Sequence, residues 1–364
     1  MRTIVAAVMS LGLVTACLAE DAAKPGAALQ LKLKSDSLVF NGITRSGDGR
    51  LFSPFQRQET GTGIELGEWI DGAPKPYPSA AWNAWAPGDD PAKAFVAVNA
   101  IRIGPDGDLW VIDKGAAEMG ATPYVGGPKL VQIDLAGNTV RRIYPLQSAV
   151  KNRSFFDDFR FNGRRVYISD AGSPGLVVLD LDSGLTRRVL DDQPSTTAQR
   201  PLTGEGRQLA DAQRRPIYIH ADQLEVSPDG RTFYFQPCPG PLYKIETRYL
   251  DDASLSDAER AAHVSIHAQI GSTGGTAIDA AGVIYASDTD ALRILRIAPD
   301  GAVSTLVQDP RLVWGDAMWI DEQGGLWIPA AQMNRAKIMN GGTSAVKFPT
   351  EIYRLDIGAK PLRN

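Results

Sequence analysis

Residues 316–328 read DAMWIDEQGGLWI: an apolar strand, a turn containing glycine, and a second strand rich in aromatic and β-branched residues. The same phrase occurs five more times, as NGITRSGDGRLF (41–52), NAIRIGPDGDLWV (99–111), DFRFNGRRVYI (158–168), DQLEVSPDGRTFYF (222–235) and GGTAIDAAGVIY (274–285). Asp-Gly or Asn-Gly supplies the left-handed conformations of a tight hairpin turn, and the flanking alternation gives each strand one buried face. The turn glycines expected are Gly49, Gly107, Gly163, Gly230, Gly282 and Gly325. A lone hairpin is marginal in water, so the six must support one another.

Four hairpins are followed by a third strand-like run, at 129–134, 175–180, 242–246 and 293–297, and three by a fourth, at 139–144, 185–190 and 302–307. Four antiparallel strands per repeat is the plan of a propeller blade, whose radial stacking leaves only short edges. The fold expected is all-β, a single six-bladed β-propeller over residues 29–358 with a tail at 359–364. A pair of sandwich domains would also give short strands and turns, but not six aligned copies. The last blade lacks one strand. LQLKLK at 29–34 alternates with period two and can pair with 351–356 to close the ring. Helix is scarce, the best candidate being the S-x-x-E capping box at 256–259.

The 364 residues carry 38 Lys and Arg against 42 Asp and Glu, a net charge of −4, which gives no electrostatic footprint for nucleic acid. With 43% hydrophobic and 22% charged residues the chain has the composition of a folded globular protein. The first residues differ: Arg2 precedes an apolar run from Ile4 to Ala16, followed by Glu20 and Asp21, the pattern of a signal peptide over residues 1–19 with a linker at 20–28. Val14-Thr15-Ala16-Cys17 resembles the bacterial lipobox, and ordinary cleavage after Ala19 is the rival reading. Either way the protein is expected to be exported, periplasmic or secreted, touching a membrane only through a lipid on Cys17. Cys238 is then the one cysteine of the mature chain, which excludes an internal disulfide. It sits among prolines with no second ligand at metal spacing and is assigned no role.

VYISDAGSPGLVVLD at 166–180 resembles the Tyr-Ile-Ser-Asp segment of the major royal jelly and Yellow proteins, including bacterial members. LWVID (109–113), PYPS (76–79), FYFQP (233–237) with Leu242-Tyr243, and Gly315-Asp316 before LWI (326–328) follow in the order that family uses, over about residues 40 to 355. The resemblance implies a propeller similar to the gluconolactonase and senescence-marker group. Some insect members are linked to dopachrome conversion or to binding biogenic amines, and others are nutrient or structural proteins, so it implies fold more than chemistry.

The residue opening the innermost strand of each repeat lies closest to the propeller axis. The set is Asn41, Asn99, Asp158 (or Asp157, since that copy is shorter), Asp222, Gly274 and Asp316. Converging carboxylate and amide oxygens suit a hard cation, with Ca²⁺ the first choice and Asp158, Asp222 and Asp316 its expected ligands. Asn and Asp also open strands simply by capping turns. His220 lies two residues before Asp222, where an imidazole could act as a base, so His220, Asp222 and Asp316 are the candidate catalytic set. Trp82 and Trp85, in the long insertion between the first two repeats, could lid the channel and stack on a flat ligand beside Asn41 and Asn99, or could pack that loop onto the propeller.

Gluconolactonase-type enzymes carry Glu where this chain has Asn41, a departure that weighs against lactonase chemistry. No G-x-S-x-G, H-E-x-x-H or dinucleotide loop in a strand-to-helix setting occurs, and no nucleotide cofactor is expected. The reading is a monomeric, exported propeller that binds a small polar or aromatic molecule in its channel, with weak metal-assisted chemistry. The alternative is a metal-dependent lactonase or ester hydrolase, or a dopachrome-like tautomerase.

Overall fold

A computed structural model describes residues 28–61 and 63–363. The signal peptide, Cys17 and most of the proposed linker lie outside the described residues. Strands dominate and form a six-bladed β-propeller, each blade a four-stranded antiparallel sheet.

Blade two shows how the sequence builds one unit. Val98–Ile103 pairs with Leu109–Asp113, which pairs with Lys129–Asp134 and then Thr139–Pro145. The inner strands are buried on both faces, whereas Thr139–Pro145 is mostly exposed, as an outer edge should be. Blades three to five repeat the order from Phe156–Asn162, Ala221–Val226 and Thr273–Ile278 outward. Blade four takes its outer strand from Ser265–Ala268, and blade one takes its outer pair from Leu66–Ile70 and Ala73–Pro76. None of these three segments stands out in the sequence.

The turns close on glycines with positive φ at Gly49, Gly107, Gly163, Gly230 and Gly282. In blade six that role falls to Gly324 (φ 78°) and not to Gly325, which opens the next strand.

Closure joins the two ends of the described chain. Gln30–Ser35 lies outermost beside Thr350–Asp356, running from Gln30 opposite Arg354 to Ser35 opposite Thr350. The capping box forms around Asp257–Ala261, with the Glu259 carboxylate accepting the Ser256 N–H at 2.7 Å. The apolar residues are distributed between neighbouring blades, as in the aromatic contact of Trp110 with Phe161, 5.1 Å between centroids across blades two and three.

Candidate functional site in the central channel

The first strands do more than pair. In blades three, four and five, two residues of the innermost strand stand opposite one of its neighbour: Asp157-Asp158, Asp222-Gln223 and Gly274-Gly275. Blade two has a one-residue irregularity at Asn99. A β-bulge re-aims side chains and ends regular pairing. At each bulge the first residue faces an axial cavity of about 600 Å³, lined by Asn41, Asn99, Asp157, Asp222, Gly274 and Asp316.

The third-blade position therefore belongs to Asp157, and Asp158 is corrected away from this cavity. Asp158 is the second residue of its bulge and turns to Arg102 (2.9 Å) and Arg160 (2.7 Å), which occupy it fully. Trp82 and Trp85 do not lid the channel either. Trp82 packs on Phe95 and Trp85 on Tyr124, with ring centroids 4.9 and 5.0 Å apart, and neither lines the cavity. The insertion is bound to blades one and two because its aromatic rings find apolar partners there.

Other segments wall the cavity: Arg153 and Phe155, the 211–220 segment, Trp314, and Met333 with Met339. Residues 212–216 are exposed and mark its mouth. Trp314 holds a left-handed backbone (φ 55°), which is rare for a bulky residue and serves here to turn the chain between blades five and six. Sequence reading passed over Trp314, because a positive φ in a non-glycine residue leaves no sequence mark.

Gly274 is the one axial position without a side chain, for a steric reason. A Cβ there would lie 2.5 Å from the Gly315 carbonyl oxygen, and one on Gly275 would lie 2.5 Å from the Asp316 carbonyl carbon. The glycine pair lets blade six approach and sets the position of Asp316. Gly275→Ala is expected to cost about 1–3 kcal/mol in urea unfolding and to displace Asp316; an unchanged midpoint would show the contact to be slack.

The ring is acidic, its three carboxyls partly exposed to the cavity. The Asn41 amide donates to the Asn99 carbonyl at 3.0 Å, and the Asn99 amide donates to Asp157, including its backbone carbonyl at 3.1 Å. Asp157 and Asp222 hydrogen-bond to each other, which requires one of them to keep its proton. Burial, followed by the neighbouring Asp157 charge, pushes Asp222 well above the usual carboxylate range. Burial also raises Asp316 and Asp157. Beneath Asp222, the Cys238 thiol donates to the Thr273 carbonyl at 3.2 Å and is itself raised by burial.

One cation stands behind the ring. Lys114 is buried, with Nζ 3.5 Å from Asn99 Oδ1 and 4.6 Å from the Phe155 ring centroid. Its charge opposes the rise of Asp157 and of Glu65, whose carboxyl burial pushes up to about 7 despite the Arg57 guanidinium at 2.8 Å. Neither Lys114 nor Glu65 carries a motif in the sequence.

His220 lines the cavity with Asp222 and Asp316. Its Nδ1 accepts the Ala198 N–H at 3.2 Å, placing the proton of the neutral ring on Nε2. Burial lowers its pKa, and the charge of Arg153 acts in the same direction. The ring is therefore neutral at pH 7.

The arrangement was tested against a metal ion. Among the described residues, no three His, Cys, Asp or Glu side chains group closely enough to hold one. Asn99 turns its N–H toward Asp157.

Residues 96–360 match the family model described as "Major royal jelly protein". No curated protein matches the chain by sequence. Among solved structures, a putative gluconolactonase aligns with a TM-score of 0.55 at 13% identity, covering 93% of this chain and 96% of that one. A gluconolactonase from Xanthomonas campestris aligns at 0.54 and 14% identity, over 90% and 94% of the chains. A luciferin-regenerating enzyme aligns at 0.56 and 13% identity, over 93% and 98%. At such identities the likeness is one of fold.

Proposed function

Because the chain belongs to the major royal jelly protein family, a fold that hosts several chemistries, we propose from the site alone that it binds a small organic cation, an amine on an aromatic or apolar body, in its central channel. The observation that carries this reading is the set of Asp157, Asp222 and Asp316 on the cavity wall, all held above the usual carboxylate range by burial, with Lys114 offsetting Asp157 in part. Carboxyls crowded together in a poorly solvated wall favour an incoming positive charge. The walls suit the rest of the molecule: Phe155, Trp314, Met333 and Met339 supply apolar and aromatic surface, and sulfur adapts its shape to flat rings. Arg153 and His220, higher on the wall, would receive a polar or anionic substituent. Export through the signal peptide, with or without a lipid on Cys17, belongs to the same proposal.

A second reading, proton transfer on the bound molecule, draws on the neutral His220 in the same cavity as carboxyls that keep their protons. An acid and a base held at different pKa values can move a proton between two positions of a substrate, as a tautomerisation requires.

Thermal shift and calorimetry with aromatic amines, each paired with an isosteric neutral analogue, test the binding. The amine should stabilise the protein and its neutral analogue should not; equal responses would overturn the reading. A CaCl₂ arm belongs in the same series, and a larger shift with Ca²⁺ than with any amine would replace the organic cation by the metal. A dopachrome and lactone turnover screen on the wild type and His220→Ala decides whether binding is accompanied by chemistry.

A further inference from the structure

Three residues beyond four of the six axial positions, the first strands bring a second set of side chains together: Arg102 after Asn99, Arg160 after Asp157, Glu225 after Asp222 and Trp319 after Asp316. With Met318, Leu362 and Arg363 they line a separate cavity of about 60 Å³, which shares no residue with the large one.

The hydrogen bonds at this end do not balance. Asp158 Oδ2 accepts from Arg102 and Arg160, and its Oδ1 accepts the Phe159 N–H at 2.8 Å. Glu225 Oε1 accepts from Arg160 Nη2 (2.7 Å) and Thr276 Oγ1 (2.8 Å), and its Oε2 accepts from Arg160 Nε (2.8 Å). Every carboxylate oxygen is engaged, yet two buried donors, Arg102 Nε and Trp319 Nε1, have no acceptor. Trp319 is only 5% exposed. Arg363 covers the site, its guanidinium 4.1 Å from the Trp319 ring centroid and its Nη2 donating to the Ile320 carbonyl. Its own counterion, Glu322, is half-exposed at 3.0 Å.

We propose that this second cavity binds a small inorganic monoanion, chloride being the physiological case, between Arg102 Nε, Trp319 Nε1 and the Arg363 guanidinium. An anion accepts both orphaned N–H groups and brings no donor of its own. A water molecule would meet the two N–H groups only by placing its own two O–H groups on acceptors, and each carboxylate oxygen of this wall already holds at least one donor. A cation would meet three guanidinium groups, with Glu225 the only carboxylate among the lining residues and already bound to Arg160. The volume suits an ion or a molecule of a few atoms. The site does not depend on what the large cavity holds.

Crystals soaked in NaBr test it directly: an anomalous peak is expected within contact of Arg102 Nε and Trp319 Nε1. In solution, the melting temperature should be about 2–4 °C higher in NaCl than in sodium methanesulfonate of equal ionic strength. Trp319→Phe, which removes the N–H and keeps the ring, should abolish that difference. No bromide peak, or water density alone at the position, overturns the proposal. So does a wild-type melting temperature that is the same in both salts. Should Trp319→Phe not fold, the bromide peak in the wild type decides.

Discussion

Arg160→Ala is expected to lower the unfolding free energy by about 3–5 kcal/mol, the cost of leaving buried charges without their partner. Among the described residues, Arg160 alone bridges Asp158 and Glu225, at 2.7 Å to each, and all three side chains are at least 86% buried. Its removal leaves the buried Glu225 with a single hydroxyl donor, Thr276. Urea unfolding at pH 7 measures the loss. The paired change Arg160→Met with Glu225→Leu should recover most of it, because Asp158 keeps Arg102 and the buried pair is replaced by apolar volume. A loss below about 1 kcal/mol in the single variant, the range of exposed ion pairs, would mean that this end of the channel is solvated.

Asp222→Asn is expected to do two opposite things: strengthen the fold and weaken the site. In the folded chain the Asp222 carboxyl keeps its proton to higher pH than in the unfolded chain. Between the two values the folded state binds more protons, so stability falls as pH rises from about 4, the unfolded carboxyl value, through the folded one. Asp157 and Asp316, also raised, add to the same slope. An amide at position 222 can still donate to Asp157 but cannot ionise. The variant should show a shallower decline with pH and a gain of about 1–2 kcal/mol at pH 8, as when a strained functional group is neutralised.

Affinity for an aromatic amine should fall at least about thirtyfold in the same variant, the low end of the cost of truncating a buried charge pair. Denaturation between pH 4 and 9, with calorimetry at pH 7.5, separates the two effects. A variant that is less stable and binds equally well would show the acid ring to be structural. One that is more stable and binds less would place the energetic cost of that ring in ligand binding.

The sequence by itself determined the repeat, and the repeat determined the architecture. Six hairpins with glycine turns cannot each find a core alone, and their common length and alternation leave radial stacking as the arrangement that buries every inner face. Ring closure was legible for the same reason: the alternation at Leu29–Lys34 and the missing strand after residue 356 are complementary, and the observed pairing of Gln30–Ser35 with Thr350–Asp356 differs by one residue at its start. Asn41, Asn99, Asp222 and Asp316 were placed at the axis by counting along equivalent strands, which works wherever those strands are of equal length.

Counting fails at a bulge, and there the tertiary structure decided. Asp157 and Asp158 are chemically identical in the sequence, but in the fold the first ends in the acid ring and the second in an arginine clamp. Which of two adjacent residues turns inward depends on where the neighbouring strand resumes pairing, at Phe159 opposite Ile168, and local propensity does not encode that. The tryptophans of the insertion were undecided for a related reason. An exposed aromatic and one packed on Phe95 or Tyr124 have the same sequence, and only the path of the loop chooses between them. Lys114 comes behind Asn99 through the pairing of two strands within blade two, whereas Arg102, Arg160 and Trp319 meet from blades two, three and six, so these neighbours are set by strand register and ring closure and carry no local mark in the sequence.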